Sequence, residues 1–198
     1  MNHLKDKVVL ITGAGKGAGR ALALACAEHG AMVAANDISP NNVEAVVAEI
    51  IAHGGQAKAY IEDIAKKVGA QALVKSVEDD LGGIDILVNH AAVEPHTVLL
   101  NMDEWDWHRT LDVNLTGAFL MMQSVGRIMR AKGSGTILNL VANSGKGAVA
   151  GAYLSSMSAL RELSSHMDLE LSSHAIRVYA IENSADIVKD VMLALEAK

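Results

Sequence analysis

The stretch Val8-Val9-Leu10-Ile11-Thr12-Gly13-Ala14-Gly15-Lys16-Gly17-Ala18-Gly19-Arg20 constrains this chain more than any other. Its first four residues are apolar and mostly β-branched, and they read as a short buried strand. Glycines then open a turn. From Ala18 the chain is rich in alanine and leucine, with Leu22, Leu24, Ala25 and Cys26 spaced for a helix packed on a sheet. Strand, glycine turn and helix together aim unpaired backbone N–H groups and the positive end of a helix at an anion. The spacing fits a dinucleotide fingerprint: Gly13 for the tight turn, Gly15 or Gly17 for close approach of a pyrophosphate, Gly19 for helix–strand packing.

A second apolar run, Ala31-Met32-Val33-Ala34-Ala35, leads to Asp37, near the separation of about twenty residues expected of the acid that binds the adenosine ribose. A carboxylate there accepts hydrogen bonds from both ribose hydroxyls and repels a 2′-phosphate, which favours NAD over NADP. Lys16, inside the glycine loop, is a counter-signal, because a cation there can pair with a phosphate. Read blandly, it is an exposed turn lysine.

At 198 residues the chain suits a single domain spanning 1–198. It is 51% hydrophobic but only 3% aromatic, so Ala, Val, Leu, Ile and Met must build the core. The formal net charge of −6, without a basic block, argues against a nucleic-acid surface. Cys26 is the one cysteine, which fits buried packing in a reducing cytoplasm. The first strand begins too early for a signal peptide, and no apolar run reaches the ~18 residues of a membrane span. A cytoplasmic protein is the expectation. The eight histidines show no metal-ligand spacing, and no metal site is expected.

Strand-like and helix-like stretches alternate to the end. Helices are expected from Ser39-Pro40 to His53, over 66–81, over 107–131 as one long element, over 152–173 and over 185–197. Strands are expected over 56–61, 84–89, 135–141 and 176–181. This order predicts an α/β fold, a doubly wound parallel sheet of about six strands with helices on both faces, in the order 3-2-1-4-5-6. Trp105 and Trp107 are expected to anchor the start of the long helix, and Met121, Met122 and Met129 to form a packing stripe with Leu115 and Phe119.

These segments resemble the short-chain dehydrogenase/reductase family over nearly the whole chain. Residues 12–19 match its TGxxxGxG, which implies cofactor contacts at Gly13, Gly15, Lys16, Gly17 and Ala18. Asp63-Ile64 stands where the family contacts adenine. Asn89-His90-Ala91-Ala92 looks like its NNAG, altered at the second and fourth positions, and implies cofactor contacts at Asn89, His90 and Ala91. Asp112-Val113-Asn114-Leu115-Thr116-Gly117 matches the segment of the catalytic asparagine, Asn114, and Tyr153 stands at the catalytic tyrosine. The resemblance implies a Rossmann fold, an NAD(P)-dependent exchange of hydride with an alcohol or carbonyl substrate, and a homodimer or homotetramer built on the long helix and the Tyr153 helix.

Two catalytic positions of the family are altered as well. Met157 replaces the lysine one helical turn after Tyr153, and Ala142 occupies the place of the serine that orients the carbonyl. Without that lysine the tyrosine keeps an ordinary pKa near 10, and only about one molecule in a thousand is phenolate at pH 7. Losing such an acid–base partner costs about 10²–10⁴ in rate. Ser144 and Lys146 are the candidates to replace the missing groups. Near the end, Ile181 runs through Glu182-Asn183 into Ser184 and a helix, without the family's Pro-Gly segment, covering loop and seventh strand. Two readings follow: an NAD-dependent oxidoreductase using Tyr153, Asn114 and Ser144, or a catalytically inactive relative that binds dinucleotide or forms an oligomer.

Overall fold

A computed structural model describes residues 3–142, 150–182 and 184–196. Six parallel strands form one sheet: β1 (Val8–Thr12), β2 (Met32–Asn36), β3 (Gln56–Tyr60), β4 (Ile86–Asn89), β5 (Gly135–Val141) and β6 (Ile176–Glu182). Their order is β3-β2-β1-β4-β5-β6, as the sequence predicts. The chain winds outward from β1 to β3, returns to the middle, and winds the other way from β4 to β6. That reversal leaves a crevice beyond the carboxyl ends of β1 and β4.

Both faces of the sheet are covered. Helices α1 (Gly17–Glu28), α2 (Pro40–Ala52) and α7 (Ile187–Glu196) pack on Val9, Ile11, Val33, Ala35, Val88 and Leu138. On the other face, α3 (Lys67–Leu81), α5 (Ala118–Lys132) and α6 (Gly151–Leu171) pack on Leu10, Ala34, Leu87 and Ile137. Successive residues of a strand point to opposite faces, which is why a strand buried on both sides reads as an unbroken apolar run. Cys26 is fully buried in α1, and burial pushes its thiol up to about 12. Met121, Met122 and Met129 are fully buried, as the stripe predicts, whereas Phe119 is exposed.

Three local expectations need correcting. The fourth strand starts at Ile86 rather than Ile84, because the Asp85 carboxylate accepts the Val8 N–H at 2.8 Å and pairs with Lys132 and Lys7. The long helix is not one regular element: α4 (Glu104–Leu111) continues through a π-helical stretch, Asp112–Gly117, into α5. Trp105 and Trp107 do not anchor it, since both indoles are exposed. No helix among the described residues is long and apolar enough to cross a membrane.

Candidate active site

The tip of β1 sets the geometry. Thr12, fully buried, accepts the N–H groups of His90 and Ala91 at its Oγ1, at 3.1 and 3.2 Å, and so ties the end of β1 to the end of β4. Gly13 follows with φ +68°, and a Cβ there would lie 2.8 Å from the Ala91 Cα. Gly19 is more tightly confined. Its absent Cβ would overlap the Gly13 carbonyl oxygen and lie 2.6 Å from His90 Nδ1. Only glycine lets α1 start this close to the strand ends.

Asp37 stands just past β2. Its carboxylate accepts the Gly15 N–H and the Ser39 N–H, each at 3.0 Å, so its orientation is set by the glycine loop on one side and its own turn on the other. Asp63 and Ile64 hold the equivalent place after β3, with the Asp63 carboxylate accepting the Ala65 N–H at 3.1 Å and lying 3.4 Å from Lys66 Nζ. His90 is partly buried, and its Nδ1 lies 3.1 Å from the Gly13 carbonyl oxygen. Burial holds its pKa below the ordinary value, against smaller upward contributions from its Gly13 and Thr12 contacts and the Asp37 charge.

A cleft of about 680 Å³ opens over these strand ends. Gly13, Lys16, Asp37, Asp63, Ile64, His90, Ala91 and Tyr153 all line it, along with Met157. Gly15 is buried behind Asp37, and Gly17 and Ala18 begin α1 outside the lining. Asn89 does not reach the cleft either. Its Nδ2 donates to Asn139 Oδ1 at 2.8 Å, and Asn139 donates to Ser164 Oγ at 2.8 Å, so these amides stitch β4 and β5 to α6. Asn114, in the π-helical stretch, is buried behind Val93. Its Oδ1 accepts the Val93 N–H at 2.8 Å, and its Nδ2 donates to the Val93 carbonyl and to Ser156 Oγ, both at 3.0 Å. Ser156 in turn donates to the Tyr153 carbonyl at 2.7 Å. The asparagine thus couples one wall of the cleft to the helix of the tyrosine. Ser144 and Lys146 lie outside the described residues.

Tyr153 and Met157 occupy successive turns of one face of α6. Burial raises the Tyr153 pKa, and the charge of Glu94 raises it further. Met157, 3% exposed and packed in the apolar layer, offers no opposing charge. Reasoning from sequence missed Trp105, His108, Arg109 and Asp112, which bring one face of α4 and its continuation to the same cleft. Their spacing of three, four and seven residues is the signal that could have grouped them.

The profile of the short chain dehydrogenases matches residues 7–185. The chain belongs to the short-chain dehydrogenase/reductase family. It is 41% identical over 146 residues to a 3-oxoacyl-[acyl-carrier-protein] reductase of Synechocystis sp., covering 73% of this chain but 59% of that relative, or about three fifths of its length. A metagenomic short-chain oxidoreductase solved with NADP superposes with a TM-score of 0.92 at 29% identity, covering 97% of this chain and 91% of that one. An NAD⁺-bound xylitol dehydrogenase superposes with a TM-score of 0.87 at 32% identity, covering 91% and 70%. Both dinucleotides therefore occur among the structural neighbours of this chain. Its own residues are compatible with the adenosine half: Gly13, Asp37, Asp63 and Ile64 line the cleft, and the fixed Asp37 carboxylate offers acceptors there.

Proposed function

We propose that this short-chain dehydrogenase binds NAD(H) in preference to NADP(H) and interconverts an alcohol and a carbonyl at a low rate. The Asp37 carboxylate, fixed by two backbone N–H groups at 3.0 Å, carries the reading. Held there, it offers acceptors to two ribose hydroxyls and sets a negative charge against any 2′-phosphate. Lys16 faces the same cleft from an exposed position, where its ammonium keeps its hydration and competes weakly with that repulsion.

Bound dinucleotide supplies or accepts the hydride. Tyr153 donates its phenolic proton to the oxygen of a carbonyl, and takes that proton back in the reverse direction. With its pKa raised, the tyrosine is fully protonated at neutral pH, and the phenolate needed to oxidise an alcohol is scarcer than about one in a thousand. Asn114 acts by holding Val93 and, through Ser156, the backbone of Tyr153. Ser144 is the proposed hydroxyl for orienting the carbonyl. The substrate is a small alcohol or carbonyl compound; the relatives' names, a 3-oxoacyl reductase and a xylitol dehydrogenase, share that functional-group class and little else. Exposed Phe119 on α5 and Leu169 on α6 support a homodimer or homotetramer.

A second reading, an inactive dinucleotide-binding protein, is favoured by one observation: an apolar, buried Met157 stands one turn from Tyr153. Titration with NADH and NADPH followed by fluorescence, then turnover with a panel of ketones, tests both. Tighter binding of NADH and slow ketone reduction support the first reading. Binding without any turnover supports the second. Preference for NADPH, or turnover near the ordinary enzyme rate of about 10 s⁻¹, overturns the proposal as stated.

A further inference from the structure

Charge is unevenly spread along the cleft. The charged side chains that line it come from the glycine loop, the turns after β2 and β3, and α4 with its π-helical continuation. The segment after His90, the end of β5 and α6 contribute only alanine, valine, leucine and methionine, with Tyr153 as their one polar side chain.

Glu94 follows directly on this apolar wall. Val93 before it lines the cleft, and Asn114 grips both of its backbone groups, accepting its N–H at 2.8 Å and donating to its carbonyl at 3.0 Å. Pro95 after it restricts Glu94 to extended backbone. Glu94 is thus held from both sides. Through Asn114 and Ser156, at 3.0 and 2.7 Å, its segment is tied to the Tyr153 carbonyl. The Glu94 side chain is exposed, and its charge reaches the Tyr153 phenol and opposes ionisation there.

A carboxylate fixed at this end of the cleft attracts a cation. Among the described residues no basic side chain forms an ion pair with Glu94. Met157, one turn from Tyr153, is apolar and buried. Arg161, two turns along α6, is already engaged by Glu182 at 2.9 Å and by the Ala142 carbonyl at 3.3 Å.

We propose that Glu94 selects a substrate bearing an ammonium group, an amino alcohol or amino ketone, and that this ammonium supplies the positive charge Tyr153 lacks. The substrate class so named belongs to the site already described and rests on the oxidoreductase reading above. An ammonium seated between Glu94 and the phenol offsets the carboxylate and favours the phenolate. In oxidation the carbinol carbon gives its hydride to NAD⁺ and the hydroxyl proton passes to the Tyr153 phenolate. A carbonyl is left, and the ammonium keeps its proton. A hydroxy acid is repelled by the same carboxylate.

Isopropanolamine, sec-butanol and lactate carry an ammonium, a methyl or a carboxylate next to the same secondary alcohol, and they are the probes. In NAD⁺-dependent oxidation at about pH 7, where the amine is charged, kcat/KM for isopropanolamine is expected to exceed that for sec-butanol about tenfold, the worth of one pKa unit in phenolate. Lactate is expected to be the slowest. In Glu94→Gln the ratio of isopropanolamine to sec-butanol is expected to fall to within about threefold of unity. Saturation-transfer NMR on the NADH-loaded protein reads binding without turnover: stronger transfer to isopropanolamine than to sec-butanol in the wild type, and equal transfer in Glu94→Gln. Oxidation of sec-butanol as fast as isopropanolamine, or a preference unchanged in Glu94→Gln, overturns the role of Glu94 and leaves the oxidoreductase reading standing. Absence of turnover with all three alcohols counts against the oxidoreductase reading. Equal saturation transfer then overturns the ammonium seat as well, whereas a preference for isopropanolamine that Glu94→Gln removes upholds it.

Discussion

Replacing Met157 by lysine places an ammonium one helical turn from Tyr153, where Cβ atoms on one helical face are about 5–6 Å apart. Tyr153 starts from a raised pKa, held up by burial and by Glu94. At an effective dielectric constant of about 20, unit charges about 5 Å apart interact by about 3 kcal/mol, equivalent to roughly two pKa units. Charge partners at this range lower an acid's pKa by about 1–3 units. Each unit multiplies the phenolate fraction at pH 7 about tenfold, so alcohol oxidation in Met157→Lys is expected to rise about 10²-fold. Because Met157 lines the cleft, the ammonium can extend toward its opening while the methylenes keep the apolar contacts. The assay is NAD⁺-dependent alcohol oxidation across pH, with Met157→Lys, the same change with Ala142→Ser, and Tyr153→Phe in each background. The acid limb of the rate profile is expected to move down by about one to three pH units, and Tyr153→Phe to abolish the gain. A folded, NADH-binding Met157→Lys protein with an unmoved profile, or a gain that persists without the phenol, refutes the electrostatic argument.

Gly19→Ala drives a methyl group into the Gly13 carbonyl and His90, a backbone clash that no rotamer relieves. A loss of about 1–3 kcal/mol in urea unfolding with loss of NADH binding is expected; wild-type values for both would show that α1 can shift. In Asp37→Ala the ribose acceptor and the repulsion of a 2′-phosphate disappear together, so the ratio of NADPH to NADH affinity is expected to rise; an unchanged ratio would move cofactor choice to other residues. For His90 the sign follows from linkage. Its folded pKa lies below the unfolded value of about 6.5, so below that pH the unfolded chain binds a proton the native chain refuses. Stability is therefore expected to fall as pH drops from about 6.5 through the folded pKa, by at most about 1.4 kcal/mol per pH unit from this group. Urea melts of the wild type and His90→Gln across that window measure it, and equal slopes in the two proteins would count against His90.

The pieces legible from sequence were those governed by short-range rules. Apolar runs bounded by glycine and proline placed the strands and helices to within a few residues, and glycine spacing placed the turn after β1. Boundaries failed where a long-range contact intervened, as at Asp85, whose carboxylate is recruited by Val8 in a distant strand. The π-helical turn is not legible from sequence, because helical periodicity registers an apolar face but not one extra residue in a turn. The role of Trp105 is hidden from sequence for a related reason. An aromatic residue at a helix start is usually packing, and only the tertiary arrangement shows that this one faces a cleft.

Sequence by itself determined the fold class, the strand order, the family and the residues that stand at its motif positions, since these follow from local pattern and residue identity. Tertiary structure decided how those residues act. It made Asn114 a strut between Val93 and α6 and turned Asn89 inward to Asn139. It oriented Asp37 through the Gly15 N–H, twenty-two residues away. Hydrogen bonds and burial depend on which strand ends the winding of the sheet brings together, and that proximity is a property of the folded chain, absent from any single segment of it.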